Sequence, residues 1–179
     1  MMDSSDAARE SNKEELLFES DDGALQVFAI NKDDLDQIYR IEQAAHVVPW
    51  DQKTFDAAMH FQGAKVVLKS HTEGIVGFAL LSQIADELHL LNIAVDPVFQ
   101  GRGYGGFLLD YLLQSAKNAP ISMMILEVRK SNIPAIKLYE KRGFNEIGLR
   151  KNYYPTETEK REDAIVMAYT FYDTMTQLF

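Results

Sequence analysis

The chain has no cysteine, which excludes disulfides, thiolate metal sites and a cysteine nucleophile together. It has no apolar run near the ~18 residues of a membrane span; the longest, residues 75–81, is far shorter. Its first residues are acidic and polar and lack the basic-then-apolar order of a signal peptide. The expected location is therefore cytoplasmic. Histidines are few (His46, His60, His71 and His89) and show no close ligand spacing, so no metal is expected. Basic charge is also short, with 18 Lys and Arg against 27 Asp and Glu. An acidic chain is a poor match for nucleic-acid phosphates, so neither nucleic acid nor membrane is an expected partner.

The acidity is uneven. Residues 1–24 hold eight acids against Arg9 and Lys13, while the remainder is nearly balanced. Few large apolar residues precede Leu16, so residues 1–23 are expected to be an acidic, flexible extension. Residues 24–179 fit one domain, and their periodicity shifts along the chain. Leu25–Ile30 alternates like a half-buried strand; Asn31 then caps a helix running to about Ala45. Pro49-Trp50-Asp51 breaks that helix and starts another over Gln52–Phe61. Strand-like runs follow at Ala64–Lys69, Ile75–Ile84 and Leu88–Val95, separated by hairpin-length turns. Tyr104, Phe107, Leu108, Tyr111, Leu112 and Ser115 then mark one face of a helix. Met123–Val128 reads as a buried strand, and Ile133–Tyr139 as a helix stopped by Gly143. Phe144–Leu149 and Ala164–Phe171 close the order β-α-α-β-β-β-α-β-α-β-β: an α/β (α+β) domain with a mixed central sheet of about seven strands and four helices.

The segment Gln100-Gly101-Arg102-Gly103-Tyr104-Gly105-Gly106 lies between a strand and a helix. Glycines there let the backbone approach a ligand, and the helix adds unpaired N–H groups and the positive end of its dipole. Such an assembly suits a pyrophosphate, although a glycine-rich helix entry that serves only packing has the same composition. A P-loop needs Lys-Ser/Thr after its last glycine, and Phe107 stands there instead. Gly101, Gly103 and Gly106 formally match the dinucleotide fingerprint of an oxidoreductase, but five residues separate them from Val95, and the preceding strands are joined by hairpins.

This loop, following Asn92-Ile93-Ala94-Val95-Asp96-Pro97, resembles the acetyl-CoA loop of the GNAT N-acetyltransferase superfamily. The likeness extends to Leu126-Glu127-Val128-Arg129, to Ser131-Asn132 with Ala135-Ile136 and Leu138-Tyr139-Glu140, and to Gly143-Phe144, Asn152-Tyr153-Tyr154-Pro155 and Arg161-Glu162-Asp163-Ala164. With Ala45-His46 and Pro49-Trp50, these residues resemble the ribosomal-protein-alanine N-acetyltransferases within that superfamily, over about residues 25–172.

The resemblance implies acetyl-CoA as cosubstrate, and as acceptor the N-terminal peptide of a protein, a small-subunit ribosomal protein beginning with alanine. Ile93, Ala94 and Val95 would line the thioester end, and Gly101, Arg102, Gly103, Tyr104, Gly105 and Gly106 would hold the pyrophosphate through backbone N–H groups. Asn132 would bond the cofactor, a role compatible with its position as a helix cap. Glu127 would be the general base and Tyr139 the general acid. Without the resemblance, Glu127 reads as a solvated strand-end or ion-paired residue, and Tyr139 as helix-face core. A peptide α-amine has a pKa near ~8 and must lose a proton before it attacks, and the departing thiolate benefits from gaining one. No Gly-x-Ser-x-Gly turn is present, which favours direct transfer. Residues 156–160 are one residue longer than the family pattern, with Lys160 where glycine is usual, so the acceptor side is expected to be reshaped. The competing functions are acetylation of lysine side chains or small amines, a non-catalytic CoA-binding regulator and a dinucleotide-dependent oxidoreductase.

Overall fold

The computed structural model describes residues 14–158 and 160–171. Its strands are β1 (Leu16–Glu19), β2 (Leu25–Ala29), β3 (Lys65–Ser70), β4 (Gly74–Ile84), β5 (Glu87–Val95), β6 (Met123–Arg129), β7 (Asn145–Pro155) and β8 (Arg161–Thr170). They form one eight-stranded sheet in the order β1-β2-β3-β4-β5-β6-β8-β7. The helices are α1 (Leu35–Ala45), α2 (Gln52–Ala58), α3 (Tyr104–Ala116) and α4 (Ile133–Lys141). From β2 onward, the order of strands and α-helices is the one the periodicity predicts.

β1 corrects two expectations. The sheet has eight strands, not about seven, and the stretch expected to end a flexible extension pairs antiparallel with β2. Phe18 packs its ring 5.7 Å from those of Phe107 and Tyr111, so this edge is held by side chains as well as by the ladder. Residues 1–13, the rest of the expected extension, lie outside the described residues.

The run Ile75–Leu81 is apolar because β4 is covered on both faces. Val76, Ala79 and Leu81 join Leu108, Leu109, Leu112 and Met124 in one core, while Ile75, Phe78 and Leu80 join Ile38, Ile41 and Phe55 in the other. α2 stops three residues earlier than expected. His60 and Phe61 donate to carbonyls three residues back, and Gly63 at φ +135° turns the chain where a Cβ would lie 2.3 Å from the Leu81 carbonyl oxygen.

Two irregularities shape the functional face. In the β4–β5 ladder Leu80 faces Asn92 and Leu81 faces Leu90, leaving Leu91 as an extra residue, a β-bulge. β5 pairs in parallel with β6 only from Glu87–Met123 to Leu90–Leu126, so the two strands part where the bulge begins. The second bulge is in β7, which is longer than expected. Arg150 faces Ala164 and Tyr154 faces Glu162, so two extra residues sit between those pairs, with Asn152 at φ +52°.

Candidate active site

Two adjoining cavities occupy the gap between β5 and β6. The first, about 390 Å³, is walled by Ile93, Ala94 and Val95 on one side and by Asn132, Pro134, Ala135, Leu138 and Tyr139 on the other. Its end is closed by Gln100, Gly101 and Gly103–Gly106. Nine of the ten expected cofactor residues therefore line one space. The exception is Arg102, whose side chain turns to Glu73 at 3.8 Å and over the Phe99 ring.

The glycine loop has a local cause. Gly101 and Gly103 sit at φ +78° and +87°, left-handed conformations that disfavour a Cβ. Gly103 is the N-cap of α3, and its carbonyl accepts the first helical bond from Phe107 N–H at 3.0 Å. The N–H groups of Tyr104, Gly105 and Gly106 have no partner within the helix and form its positive end. Gln100 ties the loop back by donating from Nε2 to the Val95 carbonyl at 3.0 Å. Gly106 leaves room for Arg142, which grips Asp110 through two hydrogen bonds of 2.6 and 2.9 Å and joins α4 to α3. Asn132 caps α4 by accepting from Ala135 N–H at 3.2 Å, so its Nδ2 donor has no partner among the described residues. These donors suit a diphosphate and an amide-bearing arm.

The second cavity, about 400 Å³, shares His46, Ile93, Asn132, Ala135 and Tyr139 with the first and extends to Glu127, Trp50, Asp51 and Tyr154. Tyr139 is 6% exposed, and its hydroxyl has no hydrogen bond among the described residues. No fully enclosed side-chain oxygen there lacks a partner, so this hydroxyl opens into the cavity. Burial pushes its phenol well above the ordinary value, which keeps it protonated.

Glu127 lies beyond the junction, at the end of β6. Arg150 Nη1 is 2.9 Å from its Oε1, and the Tyr153 hydroxyl donates to Oε2 at 3.4 Å. Tyr154 donates to the Glu127 carbonyl at 3.0 Å, and burial together with the Glu127 charge raises its phenol. The ion-paired reading of Glu127 is thus realised without removing the residue from the cavity. The β7 bulge aims both tyrosines: Asp163 accepts from Asn152 N–H at 2.9 Å, and Arg161 donates to the carbonyls of Asn152 and Tyr153. Glu162 accepts from Ser131 N–H and Arg129, tying this hairpin to the start of α4. Thr156 accepts from Thr158 N–H and donates to the Lys160 carbonyl at 2.7 Å, while Glu159 lies outside the described residues.

One cluster escaped the sequence reading. Glu42, 1% exposed, accepts from Trp50 N–H at 2.8 Å and Asn92 Nδ2 at 2.8 Å, and its Oε2 lies 3.2 Å from His46 Nε2. Burial alone would raise this carboxyl, but His46, Trp50 and Asn92 outweigh it and hold it below the ordinary range. Burial works against the charged His46 ring as well, and Glu42 overcomes it, leaving His46 above its ordinary value. The sequence signal was the i,i+4 spacing of Glu42 in α1 and His46 at its C-terminal cap.

Comparison with known proteins agrees with this geometry. A sequence model of the Acetyltransferase (GNAT) family matches residues 35–144. The chain is 45% identical over 141 residues to the [ribosomal protein bS18]-alanine N-acetyltransferase of Haemophilus ducreyi, covering 78% of this chain and 95% of the relative. It is 43% identical over 144 residues to the Escherichia coli (strain K12) protein of the same name, covering 79% and 95%. The crystal structure of the ribosomal-protein-S18-alanine N-acetyltransferase from Escherichia coli superposes with a TM-score of 0.78 at 39% identity, covering 87% of this chain and 99% of that one. The strands before the glycine loop pair antiparallel, contrary to a dinucleotide fold.

Proposed function

The chain belongs to the GNAT acetyltransferase family and is an N-acetyltransferase, and from that premise we propose that it acetylates the N-terminal α-amine of a protein beginning with alanine. The relatives' names point to ribosomal protein bS18 as the acceptor. The reading is supported most by the continuity of the two cavities, with Tyr139 lining both and Glu127 lining the second, which would receive the acceptor.

Acetyl-CoA, when bound, supplies a thioester carbonyl. The N–H groups of Gly101–Gly106 would hold its diphosphate, Asn132 Nδ2 would bond its amide arm, and Ile93–Val95 would exclude water from the thioester end. Glu127, directly or through one water, accepts a proton from the acceptor nitrogen. Tyr139, kept protonated by burial, donates to the departing sulfur. No acyl-enzyme is needed. The transferase unit would begin with β1 and work in the cytoplasm on a peptide rather than on nucleic acid or membrane.

The test is acetyl-CoA turnover on a peptide beginning Ala-Arg, with an α-blocked, lysine-containing control and the acetylated position read by mass spectrometry. Acetylation of the α-amine alone supports the proposal. Preferential acetylation of the lysine ε-amine would replace it with the side-chain reading.

A further inference from the structure

Glu42 is a buried carboxylate surrounded by donors, and one of them stands at the cavity junction. The atoms that approach His46 Nε2 are Glu42 Oε2 at 3.2 Å and Asn92 Oδ1 at 3.1 Å, both acceptors. The Asn92 amide cannot be turned round, because its Nδ2 donates to Glu42 at 2.8 Å. Nε2 must therefore carry the proton, and in the neutral ring the lone pair falls on Nδ1. Nδ1 has no partner among the described residues, the His46 side chain is 34% exposed, and it lines both cavities. A buried acid that fixes the tautomer of a cavity-lining imidazole is an arrangement suited to proton transfer.

We propose that His46 is a second proton acceptor of the acetyl transfer, with Nδ1 taking the first proton from the acceptor ammonium while Glu42 and Asn92 hold Nε2–H. This rests on the function proposed above, which leaves one proton unassigned. The acceptor nitrogen must shed two. His46 takes one and frees the lone pair. The N–C bond then forms as the C–S bond breaks, the second proton passes to Glu127, and the sulfur takes the Tyr139 proton. Glu127 returns its proton to the Tyr139 phenolate through water, and His46 releases its own to solvent. One proton thus ends on the thiol and one in bulk.

Proton affinity supports this division. An α-amine near ~8 is closer to an imidazole, ordinarily near ~6.5, than to a carboxylate near ~4.3, and a base works best when matched to the working pH. The titratable and charged groups around His46 come from several elements. Glu42 on α1 raises its affinity, Arg129 on β6 opposes it, and Glu127, Tyr139 and Tyr154 share its cavity.

The test is kcat against pH at saturating acetyl-CoA and α-amine peptide, for the wild type and His46→Gln, in which glutamine keeps a donor toward Glu42. The wild type is expected to lose turnover as pH falls through a limb above the ordinary 6.5. His46→Gln is expected to lose that limb and to run on the order of 10²-fold slower at the plateau, with CoA affinity unchanged. The same limb with kcat within about twofold of wild type would overturn the proposal. Independently of any variant, ¹⁵N spectra of the wild type should show neutral His46 protonated on Nε2; a proton on Nδ1 would also overturn it. A wild type that acetylates no α-amine sinks the function itself, whereas an active wild type with an unchanged His46→Gln profile sinks only the second acceptor.

Discussion

Arg150 Nη1 lies 2.9 Å from Glu127 Oε1, so the carboxylate proposed as base already has a cationic partner from β7. Arg150 is more than half exposed, and an exposed ion pair contributes little to stability. On the proposed mechanism, an acceptor ammonium entering the cavity would compete for the same oxygen. Glu127→Gln should therefore lower turnover by on the order of 10²-fold with CoA affinity intact, whereas Arg150→Ala should stay within about fivefold of wild type. Steady-state kinetics with isothermal titration of CoA separate the two.

Tyr139→Phe keeps the ring that packs 5.8 Å from Phe144 and removes only the hydroxyl facing the cavity. Turnover should fall by on the order of 10²-fold while the melting temperature moves little. Because burial raises this phenol, the wild-type rate should show no descending limb from Tyr139 up to its ordinary 10.0. A pH profile of kcat checks the second point.

At Gly106 a Cβ would meet Arg142 Nη2 at 2.3 Å. Gly106→Ala should swing the flexible Arg142 guanidinium away from Asp110 and weaken CoA binding several-fold. Stability should change by less than about 1 kcal/mol, because the Asp110 partner is largely exposed and alanine favours the helix. Asp110→Asn, which loosens the same clamp without a clash, should weaken CoA binding less. Calorimetric titration and thermal melts of both variants give the comparison.

The Glu42–His46 pair sets a pH window for stability. Glu42 is held below its ordinary 4.5, so its contribution is present above that pH and fades as pH falls through the folded value. His46 is raised above 6.5, so its contribution is full below that pH and is lost as pH rises through the folded value. The melting-temperature difference between wild type and His46→Gln should be largest between about 4.5 and 6.5 and shrink on either side.

β1 separates two deletions. Removing residues 1–13 should leave turnover and melting temperature unchanged. Removing residues 1–22 also strips β1 and the Phe18 contacts with Phe107 and Tyr111, and should lower the melting temperature by several degrees at about 2–4 °C per kcal/mol. Thermal melts of the two truncations decide it.

What could be read from the residues followed the range of the forces involved. The glycine loop is local: left-handed turns and a helix start depend on near neighbours, and Gly101, Gly103 and the start of α3 stand where the pattern put them. β1 was hidden because its four residues show no alternation, and its partner Leu25–Ala29 supplies the ladder. The Glu42–His46–Asn92 cluster joins α1 to β5 across 50 residues of chain, a distance no local pattern encodes. The β7 bulge likewise depends on Asp163 and Arg161 from the next strand. Tertiary contacts, which periodicity does not carry, set these acceptor-side features.

The most direct test of the central claim is a crystal structure with CoA and an N-terminal alanine peptide bound. The account predicts the diphosphate on the backbone N–H groups of Gly101–Gly106, the sulfur beside the Tyr139 hydroxyl, and the peptide nitrogen in the space shared with His46 and Glu127. A coenzyme seated outside the gap between β5 and β6, or a peptide nitrogen remote from both residues, would contradict it.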